Sequence, residues 1–486
     1  MGLLENLAKD TNYGKTENGA IKHTSTLSKV LDMFGMCGSY RNRTDEECIK
    51  AFSDAFCEDK DLALKCLFYL RDCRGGQGER RFFRVCFKYL CQAYPDVALR
   101  NLKYVSEFGR WDDLVYTTAD TELWDDAIKL VKDQLEKDID AKHPSLLGKW
   151  LPSENASSKA TKTLASKIRH SLGMTSKEYR KMLSQLRYKI NIVEGLMSEG
   201  KWDEIEFDKL PSKAGLIYAN AFIRNCVDYI DFIKNKETKV NAEVIDPVNI
   251  ATKVFKMSRY RADNPDVAVL QKYWDNLKDY YNGREENGIA VVDVSGSMYG
   301  TPLAAAVGMG AYIAERGHGP FANHFITFSR DPELVSFTGA NICEKMLFCE
   351  NSHWGMNTDI EKVMDLLLNT LVENHSPDSD VPDRLYIFSD MEFDEGICNL
   401  YRGEKKETLF EKIEKKWREA GYEMPQIVFW NLDARTQNVP AMGEKFSYIS
   451  GFSMNMIEAV LSGKTGYDLM LEKLLSDRYK DIKAEV

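Results

Sequence analysis

No stretch of this 486-residue sequence approaches the roughly 20 consecutive apolar residues that a membrane-spanning helix needs. An apolar leader is missing as well, because Glu5, Lys9, Asp10, Lys15, Glu17 and Lys22 interrupt the first thirty residues. Asn6 stands where a myristoylation signal requires a small hydroxyl residue. The expectation is a cytoplasmic protein without a membrane partner. The eleven cysteines include no C-x-x-C pair. Cys66, Cys86, Cys91 and Cys226 sit in apolar helical settings and read as reduced core thiols, and the spacing of Cys343, Cys349 and His353 matches no structural-zinc pattern. The glycines of Gly75-Gly76-Gln77-Gly78 are not followed by the Gly-Lys-Ser/Thr ending of a nucleotide-binding P-loop, so the stretch reads as an inter-helical turn flanked by salt bridges.

What is present is an ordinary globular composition, 44% hydrophobic and 29% charged, in a chain long enough for two or three domains. The net charge of −10 argues against nucleic acid only if it is spread evenly, and it is not. Residues 141–190 hold eleven Lys or Arg against Glu154 and Glu178 alone. Such density commonly meets phosphate, and Tyr179 and Tyr188 lie among the cations. The candidate contacts are Lys149, Lys162, Lys167, Arg169, His170, Arg180, Lys181, Arg187 and Lys189. A solvated helical face is the competing explanation of the same run.

From about residue 25 to 283 the apolar spacing is helical, as in Leu62, Cys66, Leu67 and Leu70. Gly109-Arg110-Trp111-Asp112-Asp113 returns as Gly200-Lys201-Trp202-Asp203-Glu204, which suggests stacked helix pairs of the HEAT type. After Asn282-Gly283 the pattern becomes short apolar runs separated by amphipathic helices, the alternation of a doubly wound α/β sheet. The expected division is an N-terminal segment 1–24, an all-α repeat domain 25–283 and an α/β domain 284–486.

The strongest local signal is Val291-Val292-Asp293-Val294-Ser295-Gly296-Ser297, an apolar strand running into Asp-x-Ser-x-Ser. Open α/β sheets bind ligands at the carboxyl ends of their strands. Two hydroxyls and a carboxylate on one tight loop, with Gly296 giving the turn its freedom, are hard oxygen donors suited to Mg2+ or Mn2+.

This pattern resembles the metal-ion-dependent adhesion site of von Willebrand A domains. Two further loops follow in order: Gly355-Met356-Asn357-Thr358 before a helix, and Ile387-Phe388-Ser389-Asp390 at a strand end. The resemblance implies that Ser295 and Ser297 ligate the cation directly, Thr358 directly or through water, and Asp293 and Asp390 mostly through water. It leaves one coordination position for an acidic group of a partner. Hydrolysis would need a base near the cation, for which the sequence offers His353, Glu392, Asp394 or Glu395.

A helical-repeat half followed by such a domain resembles the TROVE-module proteins, the Ro group. The strings at 71–80 (Arg-Asp-x-Arg-Gly-Gly-x-Gly-Glu-Arg), 149–153 (Lys-Trp-Leu-Pro-Ser) and 178–184 (Glu-Tyr-Arg-Lys-Met-Leu-Ser) look more closely like domain-of-unknown-function family 2828, a Ro-like family. In Ro proteins the repeats close into a ring that binds small structured and misfolded RNAs. The resemblance therefore implies a non-catalytic RNA-binding protein without DNA specificity. The alternative is a scaffold in which the cation captures an acidic protein partner.

Overall fold

The computed structural model describes residues 12–190, 192–257, 260–328, 332–351, 359–393 and 409–485. No helix among them is long and apolar enough to cross a membrane. Packing divides the chain into two compact units, each discontinuous in sequence. One joins the residues up to Arg43 to Ala242–Leu475; the other joins Thr44–Asn241 to the residues from Ser476 onward. The change of sequence pattern near residue 284 therefore marks a change of secondary structure and not the edge of a packed unit.

The first unit contains every described strand. A short hairpin pairs β1 (Tyr13–Lys15) with β2 (Ile21–His23), antiparallel. The six-stranded sheet comprises β3 (Gly288–Asp293), β4 (His324–Phe328), β5 (Leu334–Ser336), β6 (Arg384–Ser389), β7 (Gln426–Asn431) and β8 (Phe446–Ser450), in the order β5-β4-β3-β6-β7-β8. All neighbours run parallel except the edge strand β5, which is antiparallel to β4. Parallel strands are covered on both faces and need unbroken apolar runs. β3 and β8 are buried at every position, and β6 and β7 at all but their first. The chain leaves β3 for β4 on one side and later returns to β6 on the other, so the topological switch lies between the carboxyl ends of β3 and β6.

Helix Thr301–Arg316, which follows β3, packs through small residues. At Gly310 a β-carbon would lie 2.4 Å from Val292 Cγ2 of β3; at Gly308 it would lie 2.8 Å from the Pro247 carbonyl oxygen and 3.1 Å from Ala251 Cβ. This close approach draws helix Pro247–Phe255, helical by its sequence pattern, into the sheet unit. Helix Pro265–Asp275 joins it there, with Gln271 Oε1 accepting from the Ile342 N–H at 2.7 Å. Residues 12–24 pack in the unit too, since His23 exchanges backbone hydrogen bonds with Val439 at 2.9 and 3.0 Å.

Among the described residues the second unit contains helices and turns but no strand. Phe68 meets Phe83, Phe87 and Phe108 edge-on at 5.4 to 5.9 Å between ring centres. Tyr479, from the returning C-terminal segment, stacks on Phe108 at 5.5 Å. The two halves of the sequence repeat fold differently. Gly109 (φ −109°, ψ −123°) precedes helix Trp111–Thr118, whereas Gly200 (φ +70°) precedes only a single 3-10 turn, Trp202–Glu204. A β-carbon at Gly109 would lie 2.6 Å from Asp113 Oδ2 and 3.0 Å from Arg71 Nε; at Gly200 it would meet nothing within 4 Å. The first glycine makes room for a buried ion pair and the second ends a helix in the left-handed region.

Candidate functional site

The switch point gathers four of the five residues assigned to the cation. Asp293 ends β3 wholly buried, its Oδ1 accepting from the Ser295 N–H at 2.9 Å and its Oδ2 from Ser389 Oγ at 2.5 Å. The hydroxyls of Ser295 and Ser297 lie 3.0 Å apart. Asp390, just beyond β6 and 1% exposed, accepts from the Glu392 N–H at 3.1 Å through Oδ1 and from Arg435 at 2.7 Å through Oδ2. Thr358, with Gly355–Asn357, lies outside the described residues, as do His353, Asp394 and Glu395.

Burial, and then the charge of Asp390, push the Asp293 carboxyl well above the usual carboxylate range. Two buried carboxylates beside a pair of hydroxyls are a donor set that a hard divalent cation fits. Among the described residues no group of three or more His, Cys, Asp and Glu side chains could hold a metal ion, so a cation here would need the hydroxyls as well as the carboxylates. The turn owes its shape to a different glycine from the one expected. Gly296 opens a 3-10 turn, Gly296–Met298, without a positive φ, and it is Gly300 that stands at φ +96°, ψ −130° before helix Thr301–Arg316. Met391, directly after Asp390, holds φ +65°, a costly conformation for a side chain of its size.

Sequence reasoning missed what surrounds Asp390. Arg435 also meets Glu17 at 3.0 Å. The turn of the N-terminal hairpin sits on the loop after β6: Thr16 Oγ1 donates to the Phe393 carbonyl at 2.6 Å, and Glu392 Oε2 accepts from the Glu17 N–H at 2.7 Å. Glu392 is 2% exposed and also accepts from Thr436 Oγ1. It therefore fastens the hairpin and neither solvates the loop nor stands ready as a base. Cys343 and Cys349 are buried thiols, each pushed up to about 12 by burial.

The basic segment of the helical unit divides into cations that hold the fold and cations that face solvent. Arg187 donates to the carbonyls of Gly148 at 2.9 Å and Leu151 at 3.4 Å; Arg169 pairs with Glu154 at 2.8 Å and donates to the Met174 carbonyl at 3.0 Å. Lys149 reaches Glu194 at 3.5 Å, Lys167 reaches Asp120 at 3.4 Å, and Lys189 donates to the Ile139 carbonyl. His170 is exposed and its Nδ1 lies 2.7 Å from the Ser166 carbonyl. Lys162, Lys177, Arg180 and Lys181 are exposed. Three of these, Lys177, Arg180 and Lys181, project from helix Ser176–Ile190 onto a cleft of about 710 Å3 together with Arg187 and Tyr188, which is 72% exposed. The cleft is also lined by Ser153, Asn155 and residues of the segment 192–199, among them Glu194 and Glu199. Tyr179, the other interleaved aromatic, is buried and donates to the Pro152 carbonyl at 2.8 Å.

The loop 74–78 is a structural turn. The N–H groups of Gly76 and Gly78 donate to the Asp72 carbonyl, and a β-carbon at Gly76 would lie 1.9 Å from the Tyr69 carbonyl oxygen. The Asp72 carboxylate takes the Arg478 guanidinium and the Tyr479 hydroxyl. Glu79 Oε1 accepts from the Arg81 and Phe82 N–H groups at the start of helix Arg81–Ala93, which are the amides a phosphate would have used.

The comparisons with known proteins divide the chain near residue 284, where the sequence pattern changes, and not at the edges of the packed units. Residues 287–483 match a domain of unknown function, DUF7788. Residues 16–166 and 121–282 match a second, DUF2828. The uncharacterized protein L728 of Acanthamoeba polyphaga mimivirus is 31% identical over 503 aligned residues, covering 93% of this chain and 85% of that protein. A crystal structure of the Deinococcus radiodurans RO (RSR) protein superposes with a TM-score of 0.43 at 12% identity, covering 93% of this chain and 99% of that one. The identity and coverage of the mimivirus relative, with a family match across 16–282, place the chain in the DUF2828 family.

Proposed function

We propose that this protein is a non-catalytic RNA-binding protein of Ro-like architecture, in which the helical unit contacts RNA and the sheet unit is a von Willebrand A-like domain that holds Mg2+ for partner docking or assembly. The observation that carries the reading is the cleft on helix Ser176–Ile190, where Lys177, Arg180 and Lys181 line one wall beside the exposed ring of Tyr188. Cations in a row track a phosphodiester backbone, and an uncovered aromatic face accepts an unpaired base. Small or misfolded RNA in the cytoplasm is the partner this chemistry suits. Filter binding of single-stranded and structured RNA, with Mg2+ and with chelator, tests it. Tight binding that falls steeply with salt and ignores chelator supports the reading; no binding at low salt ends it.

A second reading has its own support. Asp293, Ser295, Ser297 and Asp390 converge at the switch point of the sheet, and a cation there would present an open position to an acidic residue of a protein partner. This scaffold reading expects partner capture to vanish with chelator and in Asp293→Ala.

A further inference from the structure

Away from the cleft, helices Arg81–Ala93 and Trp111–Thr118 of the helical unit bring guanidinium groups together in excess of the acids that could balance them. Arg84 and Arg110 each donate to the same oxygen, Asp112 Oδ2, at 2.7 Å. Arg84 Nε also reaches Asp113 Oδ1 at 2.6 Å, while Asp113 Oδ2 is taken by the buried Arg71 at 2.6 and 2.8 Å. Arg80, one helical turn before Arg84, whose N–H donates to the Arg80 carbonyl at 3.0 Å, completes the group. It is exposed, has no carboxylate within ion-pair distance among the described residues, and carries a guanidinium that partial burial, and then the charges of Arg110 and Arg84, disfavour. Glu79 beside it is committed to the N–H groups of Arg81 and Phe82.

Four guanidinium groups therefore stand against three carboxylates, those of Asp112, Asp113 and Glu79, a surplus of positive charge that an added phosphate would offset. The donors are also fixed in advance. Arg84 lies over the ring of Tyr116 at 4.3 Å and Arg110 over that of Trp150 at 4.0 Å, so both planar forks are held without a ligand. Their side chains are 21% and 22% exposed, reachable but not free to turn. The Nε and Nη2 groups of both are engaged by Asp112 and Asp113, which leaves Nη1 for a ligand, and a donor held in place beforehand costs less entropy to engage.

We infer that Arg80, Arg84 and Arg110 form a phosphate-binding site of the helical unit, and that its ligand is the terminal phosphate of a nucleic-acid strand. The choice of a strand as the carrier rests on the RNA reading above; the site itself does not. An end can reach donors that are only 21% and 22% exposed where a phosphate flanked by nucleotides on both sides cannot, which is why an end is favoured over the backbone. Arg80 is the residue to alter, because it is exposed and holds no described neighbour in place.

The test uses the full chain with three versions of one single-stranded oligoribonucleotide, bearing a 5′ phosphate, a 3′ phosphate or hydroxyls at both ends, and inorganic phosphate as a separate probe. Wild type should bind one phosphorylated version about tenfold more tightly than the hydroxyl-ended one, the size of a charge-assisted contact. Arg80→Gln should erase that preference and leave the hydroxyl-ended affinity unchanged, with Arg80→Lys between the two. Equal binding of all three versions by wild type, with no rise of melting temperature in inorganic phosphate, overturns the site while the RNA reading stands. If no oligonucleotide binds, yet phosphate raises the melting temperature of wild type and not of Arg80→Gln, the site stands and the RNA reading falls.

Discussion

Arg435 donates to Asp390 Oδ2 at 2.7 Å in the place where a cation at the switch point would also draw on that carboxylate. The other oxygen of Asp390 is already held by the Glu392 N–H. A guanidinium and a dication on one buried carboxylate repel each other, by roughly 2 kcal/mol at 4 Å even with the full screening of water. Arg435→Gln should therefore bind Mg2+ about tenfold more tightly than wild type by calorimetry, and Asp293→Ala should not bind it. Weaker binding by Arg435→Gln would make the arginine a positioning group for Asp390 instead of a competitor.

How much of this was legible in the sequence follows from the range of each signal. The strand before Asp293 and the one before Asp390 announce themselves as local apolar runs, and their meeting follows from the α/β pattern alone. Arg435 and Glu17 carry no local signal, because a single arginine 45 residues from Asp390 and a hairpin near the chain start become neighbours only through the fold. Charge counting over 141–190 likewise marked helix Ser176–Ile190 without separating Arg187, spent on two carbonyls, from the exposed Arg180 and Lys181. It overlooked Arg80, Arg84 and Arg110, where acids in the same stretch of sequence mask the local surplus.

The contact between helix Thr301–Arg316 and β3 should be intolerant of a single methyl group. Gly310→Ala gains helix propensity of about 1 kcal/mol but drives a β-carbon to within 2.4 Å of Val292 Cγ2, in a strand fixed on both sides. Overpacking of this kind costs roughly 1–3 kcal/mol, so a fall in melting temperature of a few degrees is expected by calorimetry. Gly195→Ala, where a β-carbon meets only Ile192 Cγ1 at 4.0 Å, should leave it unchanged or slightly raised.

Asp72 gives the helical unit an acid limit. Burial alone would raise its carboxyl, but the Arg478 guanidinium and the N–H groups of Arg74 and Gly75 outweigh it and hold the group below the usual range. A carboxyl lowered on folding lends stability that is complete above its unfolded value of about 4 and is lost as pH falls through the folded one. Unfolding of the helical unit by urea should therefore become easier as pH drops below about 4. Asp72→Asn should be less stable at pH 7 by about 1–3 kcal/mol, with a flatter acid limb. An acid limb identical to wild type would remove Asp72 from the account.

The two kinds of cation in the basic segment predict two kinds of failure. Arg187→Glu places a carboxylate against the Gly148 and Leu151 carbonyls, so it should lower the melting temperature whether or not RNA is present. Lys177, Arg180 and Lys181 are exposed on the cleft, and reversing all three to Glu should leave the melting temperature within a degree or two. For a single strand each phosphate contact contributes about 0.7 to the slope of log affinity against log salt, so the triple reversal should flatten that slope by about 2 as it weakens binding. A weaker affinity with an unchanged slope would mean that these side chains repel or reshape the RNA site without touching phosphate, and the contacts would then have to be sought at Lys162 and the arginines around Asp112.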